Sequence, residues 1–434
     1  MGRRHGLGLP GYDVCRRCGP LRDVPRPSSP DRDLREDLGY DDVALPLLRS
    51  PRRRAAPLTS THETEPSLAS SATRHKLGDR IEGLDLLRGF ALALVLVHHS
   101  WITFFGAGGI VGVLIFFTLS GYLITGLLMG DLRNYGRIRY ARFYRNRALR
   151  LLPALYVLLA GLVLVTLTID PRNERDALLG GVLVSAFYVA NLPLGVDFFT
   201  VVHMWTLSTE EQFYLVWPVV LAVGVRLRIL KWMVALAGLA IMGMVFLTLQ
   251  VANIPAEIYP LPSSWSVAMV VGAGARLGQE RIARLLPAPG GVAFRLLQLV
   301  VLAVLLGMCL LPLPDNHAIS YTVGGPLVSA LSVVLIFGAR EWKTIPTPAL
   351  RPLLALGKVS YAAYLWNWPI AFWLGVDTNH TVAPVLAIVL TFAAAAVSWW
   401  VVERPIALWR ARMNERDPRH VTPETVVSAE SRRG

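Results

Sequence analysis

From Leu84 to about Val402 the chain is a succession of apolar stretches, each long enough or nearly long enough to cross a bilayer, with short polar loops between them. A chain that crosses hydrocarbon must satisfy its own backbone hydrogen bonds, which leaves helices or a closed barrel, and runs of this length are helical. The expected fold is therefore all-α, a polytopic transmembrane helix bundle. Eleven stretches qualify, near Leu84–Phe105, Gly109–Met129, Leu149–Ile169, Ala177–Leu194, Gln212–Val225, Leu230–Gln250, Ser264–Leu277, Leu296–Leu311, Tyr321–Phe337, Val359–Leu374 and Val382–Val402.

Loop charge decides how many of them cross. With the Arg-rich N-terminal segment inside, the loop Asp131–Arg150, which carries seven arginines, is inside as well. If all eleven stretches crossed, the basic loops around Arg226–Lys231, Arg276–Arg284 and Arg340–Arg351 would face outward, against the positive-inside bias. If Ala177–Leu194 stays on the outer side as a re-entrant or surface helix, all three return to the cytoplasm, together with Arg404–Arg416. About ten spanning helices with both termini cytoplasmic are expected.

The rest of the chain supports this organisation. Residues 1–80 are rich in Arg, Asp, Pro and Ser without an apolar period, which predicts a disordered cytoplasmic tail and no removable signal peptide. Residues 81–405 form the membrane domain, and 406–434 are expected as a cytoplasmic C-terminal tail. Only 17% of residues are charged and 53% are hydrophobic. The net charge of +13 gathers in tails and loops, so it reads as topology and not as a nucleic-acid surface. Of three cysteines, Cys15 and Cys18 make a lone Cys-x-x-Cys, too little for a disulfide framework and weak as a zinc site; no bound metal is expected.

Three polar clusters interrupt the apolar runs. The first stretch reads Leu84-Asp85-Leu86-Leu87-Arg88-Gly89 and continues to His98-His99-Ser100. Arg88 and His99, eleven residues apart, share a helix face and lie roughly 16 Å apart along it; His98 points away from His99, and Asp85 can pair with Arg88. An arginine can snorkel and a histidine can simply bond a neighbouring helix, yet ionisable groups within a membrane are costly and commonly functional. The second cluster, Arg142 to Pro153, contains Arg147 and Arg150 one turn apart. Two forked guanidiniums so spaced suit a phosphate or pyrophosphate, and equally suit topology-setting charges at a membrane edge. In the third, His203-Met204-Trp205-Thr206-Leu207-Ser208-Thr209-Glu210-Glu211-Gln212-Phe213-Tyr214, Ser208 and Glu211 have capping-box spacing, and Tyr214 lies one turn from Glu210. Two adjacent carboxylates beside Trp and His at a membrane entrance exceed what capping needs. Late in the chain, Ser360-Tyr361-Ala362-Ala363-Tyr364-Leu365-Trp366-Asn367-Trp368-Pro369 and Glu403-Arg404-Pro405 read separately as an aromatic belt and a charged helix end.

Taken in order, these stretches resemble the signatures of the membrane-bound acyltransferase 3 family: Arg-Gly with a histidine eleven residues after the arginine, Phe116-Phe117-Thr118-Leu119-Ser120-Gly121-Tyr122-Leu123-Ile124, the Arg-x-x-Arg-x-x-Pro stretch, the His203–Tyr214 run, the Ser360–Pro369 run and the closing Glu-x-Pro. Two positions depart from the family pattern. Thr206 replaces a serine and keeps the hydroxyl; Asn367 stands where histidine is usual and removes a titratable group while keeping hydrogen-bonding capacity.

The resemblance implies a ten-helix membrane enzyme that moves an acyl group, acetyl or another short chain, from acyl-CoA to a hydroxyl of a carbohydrate, glycolipid or glycosylated small molecule. Acyl-CoA would be a co-substrate and not a resident cofactor. Arg88, Arg147 and Arg150 would hold its phosphates, and His99 would act as base on the acceptor hydroxyl. Glu210 would orient the acceptor or a histidine, and Trp205, Glu211, Tyr214, Tyr364 and Asn367 are the candidate substrate-binding residues. Members with a fused extracytoplasmic esterase-like domain need one more crossing, which is not expected here. A proton-coupled transporter is the alternative for intramembrane His, Glu and Arg, although no internal repeat of the kind common in transporters is visible.

Overall fold

A computed structural model of the chain describes residues 81–376 and 381–415. The expectations for residues 1–80, including Cys15 and Cys18, and for 416–434 lie outside the described residues. Among those described there are helices and turns and no strand, as the apolar runs require.

The helices are α1 Glu82–Ser100, α2 Gly108–Tyr135, α3 Tyr140–Thr168, α4 Leu178–Ala186, α5 Met204–Arg226, α6 Leu230–Val251, α7 Pro262–Leu277, α8 Gln279–Leu285, α9 Val292–Cys309, α10 Gly325–Ala339, α11 Arg351–Lys358, α12 Ser360–Trp373, α13 Ala383–Ser398 and α14 Arg404–Glu415. Turns of π-helix lead into α10 at Ser320–Gly324 and join α13 to α14 at Trp399–Glu403. Seven segments are long and apolar enough to cross a membrane unaided: α1, α2, α3, α6, α9, α10 with its π turn, and the α13–α14 unit. The other stretches expected to cross are interrupted or short. Helix α5 has 23 residues but carries Glu210 and Glu211, α7 has 16 residues, and α11 and α12 form one broken rod of 8 and 14 residues. With only 9 residues, α4 extends roughly 14 Å, about half of a hydrocarbon core. Its length agrees with the expectation that Ala177–Leu194 does not cross. The helical continuation through Glu415 means that the C-terminal segment expected as a tail from 406 begins as helix, anchored where the Arg410 guanidinium donates to the Asn146 carbonyl at 3.1 Å.

Burial separates an inner layer from a lipid-facing one. In the most apolar window of α2, 67% of residues are buried, against 6% in α6. Helix α1 is enclosed by α2, α10, α11, α12 and α13, and its start is tied down by the Glu82 carboxylate, which accepts from the Ile345 amide at 2.8 Å. Small residues allow the closest crossings. A Cβ at Gly121 would collide with the Met269 carbonyl, and one at Gly272 with the Thr118 carbonyl, so α2 and α7 touch backbone to backbone at both points. Gly89 and Gly357 do the same for α1 and α11. These contacts fix the depth of α1 against the helices that carry the other polar clusters.

Candidate active site

Helices α1, α2, α3, α5 and α12 enclose a cavity of about 290 Å³. Its apolar wall comes from one stripe of α1, Ala91, Leu92 and Val95, and from the facing side of α2, including Val113, Phe116 and Phe117. Its polar wall brings together Arg88, Ser120, Arg147, Arg150, Thr206, Glu210, Tyr214, Ser360, Tyr361 and Tyr364. Positions 88, 91, 92 and 95 follow the i, i+3, i+4, i+7 rule, and His99 is the next residue on that stripe. Residues as distant in sequence as Arg88 and Tyr364 thus share one chamber, with the expected ladder from Arg88 toward His99 along its side.

Within this chamber the charged groups are unequally engaged. The Arg147 guanidinium donates to both Glu211 oxygens, with contacts at 2.5, 2.9 and 3.1 Å, and stacks 3.2 Å from the centre of the Tyr214 ring. Arg88 donates to Asp85 at 3.0 Å, the pairing expected from their one-turn spacing. Arg150 makes no hydrogen bond or ion pair to another described residue and borders the cavity as an uncommitted cation. The Arg147/Arg150 pair is therefore divided: one arginine is held by a carboxylate and the other is available to an anion. Glu211, a substrate-binding candidate in the sequence, is the partner that holds Arg147.

Glu210 is buried and accepts from the Ser120 hydroxyl at 2.5 Å and from the Tyr214 hydroxyl. Tyr214 therefore holds the carboxylate as its spacing suggested, and Ser120 adds a donor from α2 that sequence reasoning had not assigned. The capping-box reading of Ser208 and Glu211 is corrected: α5 starts one turn earlier at Met204, with His203 as its N-cap. The Ser208 hydroxyl instead donates to the Met204 carbonyl at 2.9 Å and accepts from the Ala190 amide at 3.2 Å. Tyr364 braces the start of α5, since its hydroxyl donates to the His203 carbonyl at 3.0 Å and lies 2.5 Å from the Thr206 hydroxyl.

At the far end of α1, His99 Nδ1 lies 2.6 Å from Asn367 Oδ1 on α12, and the Trp368 ring meets the imidazole edge-on at 4.9 Å. His98 is turned elsewhere: its Nδ1 lies 2.8 Å from the Phe105 carbonyl and its ring covers Gly109. Trp205 does not border the cavity. It is buried edge-on against Phe117 at 6.4 Å and Tyr259 at 5.3 Å, a packing position beneath the site. Among the described residues no group of three or more His, Cys, Asp or Glu is arranged to hold a metal ion.

The acyltransferase domain model matches residues 81–403, which is most of the chain and all of the polar clusters above. The chain belongs to the acyltransferase 3 family. It is similar to the putative peptidoglycan O-acetyltransferase YrhL of Bacillus subtilis, at 27% identity over 360 residues, covering 75% of this chain and 55% of that protein. It is likewise similar to the peptidoglycan O-acetyltransferase OatA of Listeria monocytogenes, at 27% over 363 residues, 75% and 56% of the two chains. The O-acetyltransferase OatA of Staphylococcus aureus is 26% identical over 358 residues, 75% and 57%. The chain thus spans little more than half the length of these relatives. No solved structure matches it. As a family member with many apolar helices it is a multi-pass membrane protein, and the family match covers the signatures that carried the resemblance as far as Glu403, the first residue of the closing Glu-x-Pro.

Of the candidate residues, Arg88, Arg147, Arg150, Glu210, Tyr214 and Tyr364 meet around one cavity. His99 and Asn367 form a separate contact above it, while Glu211 and Trp205 support it from behind. Ser120 and Tyr361 were quoted in signatures without a role, although a hydroxyl within an apolar run is itself a sign of a polar partner.

Proposed function

We propose that the chain is an integral-membrane O-acyltransferase that moves an acetyl or other short acyl group from acyl-CoA to a hydroxyl of a carbohydrate acceptor. The observation that carries this reading is the uncommitted Arg150 beside Arg88 in a cavity whose α1 wall continues to His99. Two guanidiniums at one end suit the phosphates of a CoA thioester. The apolar stripe Ala91–Val95 suits its thin arm, and His99 lies roughly 16 Å beyond Arg88, where the thioester would arrive.

In this reading the acceptor oxygen attacks the thioester carbonyl carbon while His99 Nε2 takes the hydroxyl proton. The carbon–sulfur bond then breaks, and the proton passes to the departing thiolate, giving CoA thiol and the O-acylated acceptor. Glu210, fixed by Ser120 and Tyr214, orients the acceptor. Carbohydrate is the favoured acceptor class because the relatives are named as O-acetyltransferases of peptidoglycan; none of those reported is a transporter, so the transport reading gains no support. In this reading the Arg88 end and both termini lie on the cytoplasmic side, which the positive loops support.

The test is transfer of radiolabelled acetyl groups from acetyl-CoA to cell-envelope glycans in membranes containing the protein. Label should appear in the glycan fraction and vanish with His99→Ala. Solute uptake without consumption of acetyl-CoA would overturn the reading.

A further inference from the structure

We infer that the pocket between α4 and the 3₁₀ turn Phe199–Val201 is a subsite for one sugar unit of the acceptor, with Asp197 and Phe199 as its binding residues. The pocket encloses about 240 Å³ and shares no lining residue with the cavity beside Arg88. That is smaller than the roughly 300–1,000 Å³ of pockets for drug-sized ligands, and it suits a single ring. The stretch that leads into α4, 170–176, carries five charged residues, so this end of the protein meets water and not hydrocarbon. Burial alternates along the rim of the pocket: Phe198 and Thr200 are buried, while Asp197 and Phe199 are exposed. The carboxylate and the aromatic ring therefore share one side of a short extended segment. That segment is held where the Glu174 carboxylate accepts from the Phe199 amide at 2.7 Å and from the Thr200 hydroxyl at 2.5 Å. On its buried side the Phe198 ring covers Gly181 of α4.

A carboxylate beside an open aromatic ring suits a sugar. Asp197 makes no hydrogen bond or ion pair to another described residue, so its oxygens are free to accept from hydroxyl groups. Phe199, 59% exposed, offers an apolar face to the C–H groups of the ring. No cation is among the described residues that line the pocket, so the phosphates of a CoA thioester gain nothing here. An uncommitted carboxylate equally disfavours a purely hydrocarbon occupant. The pocket also lies beside the proposed base: Trp368 Nε1 donates to the Phe199 carbonyl at 2.8 Å, and the same indole meets His99 edge-on. Between Val202 of the pocket and Thr206 of the Arg88 cavity stands His203. Its Nε2 lies 3.2 Å from the Leu365 carbonyl, which can only accept, so Nε2 carries the proton and Nδ1 the lone pair. His203 is 4% exposed, and its Nδ1 has no partner among the described residues. A buried polar atom left in that state is unusual, and a substrate hydroxyl passing from the pocket toward His99 would supply the missing donor.

The inference rests on the carbohydrate acyltransferase reading, so binding is measured apart from transfer. The probe is a disaccharide fragment released from peptidoglycan, presented to the full chain in detergent. In saturation-transfer NMR the wild type should pass magnetisation to the sugar ring protons, and the double variant Asp197→Ala/Phe199→Ala should not. Both side chains are exposed, so the thermal unfolding of the variant should match wild type. In acetyl transfer to the same fragment, Asp197→Ala should raise the KM for the fragment about 5- to 20-fold, the weight of a charge-assisted hydrogen bond reduced by solvent. Asp197→Asn should fall between the two, and the KM for acetyl-CoA should stay at its wild-type value. No magnetisation transfer in the wild type, undiminished transfer in the double variant, or a KM for the fragment that neither substitution moves would overturn the inference. Binding that needs Asp197 and Phe199, in a wild type that transfers no acetyl group, would overturn the acyltransferase reading and leave the saccharide site standing.

Discussion

At the Arg88 end of α1, charge is gathered around an open cavity: three arginines, two of them engaged by carboxylates and one not. Eleven residues further along the same face, the His99 end holds no arginine or carboxylate in contact with the imidazole, which meets the Asn367 amide and the Trp368 indole. The contrast separates two tasks. A site for a multiply charged anion needs cations that are held in place but not all neutralised, since a guanidinium already bound to a carboxylate gives up little to a phosphate. A site for proton transfer needs a single titratable group whose hydrogen-bond partners leave one nitrogen available. Under the proposed function one helix, α1, would carry both and set their separation.

The comparison breaks most sharply at His99. His99→Ala should lower acyl transfer by about 100- to 10,000-fold in membranes matched for folded protein, the usual range for general-base assistance. Because the change leaves the arginine end intact, the KM for acyl-CoA should stay near wild type. Near-normal turnover would move the chemistry away from this end of the helix.

At the arginine end, Arg147→Ala and Arg150→Ala should fail in different ways. Removing Arg147 strands Glu211, and breaking a fully buried pair costs about 3–5 kcal/mol. The cost is smaller here, because 15% and 19% of the two side chains remain exposed. The expected result is less folded protein, measured by thermal aggregation in detergent, and partial recovery in the double variant Arg147→Met/Glu211→Gln. Arg150→Ala strands nothing and should leave abundance unchanged. It should raise the apparent KM for acyl-CoA by about 10- to 150-fold, the value of a charge-assisted hydrogen bond of 1.5–3 kcal/mol. If both variants lose only abundance, the two arginines share a structural task and the division between them fails.

Much of this was legible in the sequence because membranes impose simple rules. Helix positions followed from apolar length, and the exclusion of Ala177–Leu194 from the spanning set followed from loop charge. The shared face of Arg88 and His99 followed from helical period, as did the Asp85–Arg88 and Glu210–Tyr214 pairs one turn apart. What was hidden depends on contacts between helices. Nothing in the spacing of Arg147 and Arg150 says that one of them faces Glu211, 64 residues away. Nor does the Ala-, Val- and Leu-rich sequence of α13 reveal that Thr391 meets Asn367. Ser208 misled for a related reason: its spacing to Glu211 fits a cap, but the preceding Met204–Leu207 turn is buried and helical, so tertiary packing overrode a local signal.

The smallest expected effect sharpens the comparison within a single dipeptide. His98 and His99 are neighbours with ring centres 5.5 Å apart, yet helical geometry turns them about 100° from each other. His98 is spent on structure: with Nδ1 protonated it donates to the Phe105 carbonyl, closing the loop between α1 and α2, and its ring fills the space over Gly109. His98→Ala should therefore destabilise by about 0.5–1.5 kcal/mol through the lost hydrogen bond, and further through the lost packing, while the Phe105 carbonyl keeps the Gly108 amide as a donor. The measurement is the midpoint of thermal unfolding in detergent, set beside turnover per folded molecule. Turnover should remain within a few-fold of wild type, because neither the His99–Asn367 contact nor the cavity lining includes His98. A loss of turnover equal to that of His99→Ala, with the unfolding midpoint unchanged, would show that the two imidazoles work as a pair and that the His99 end of α1 holds more than one proton-transfer group.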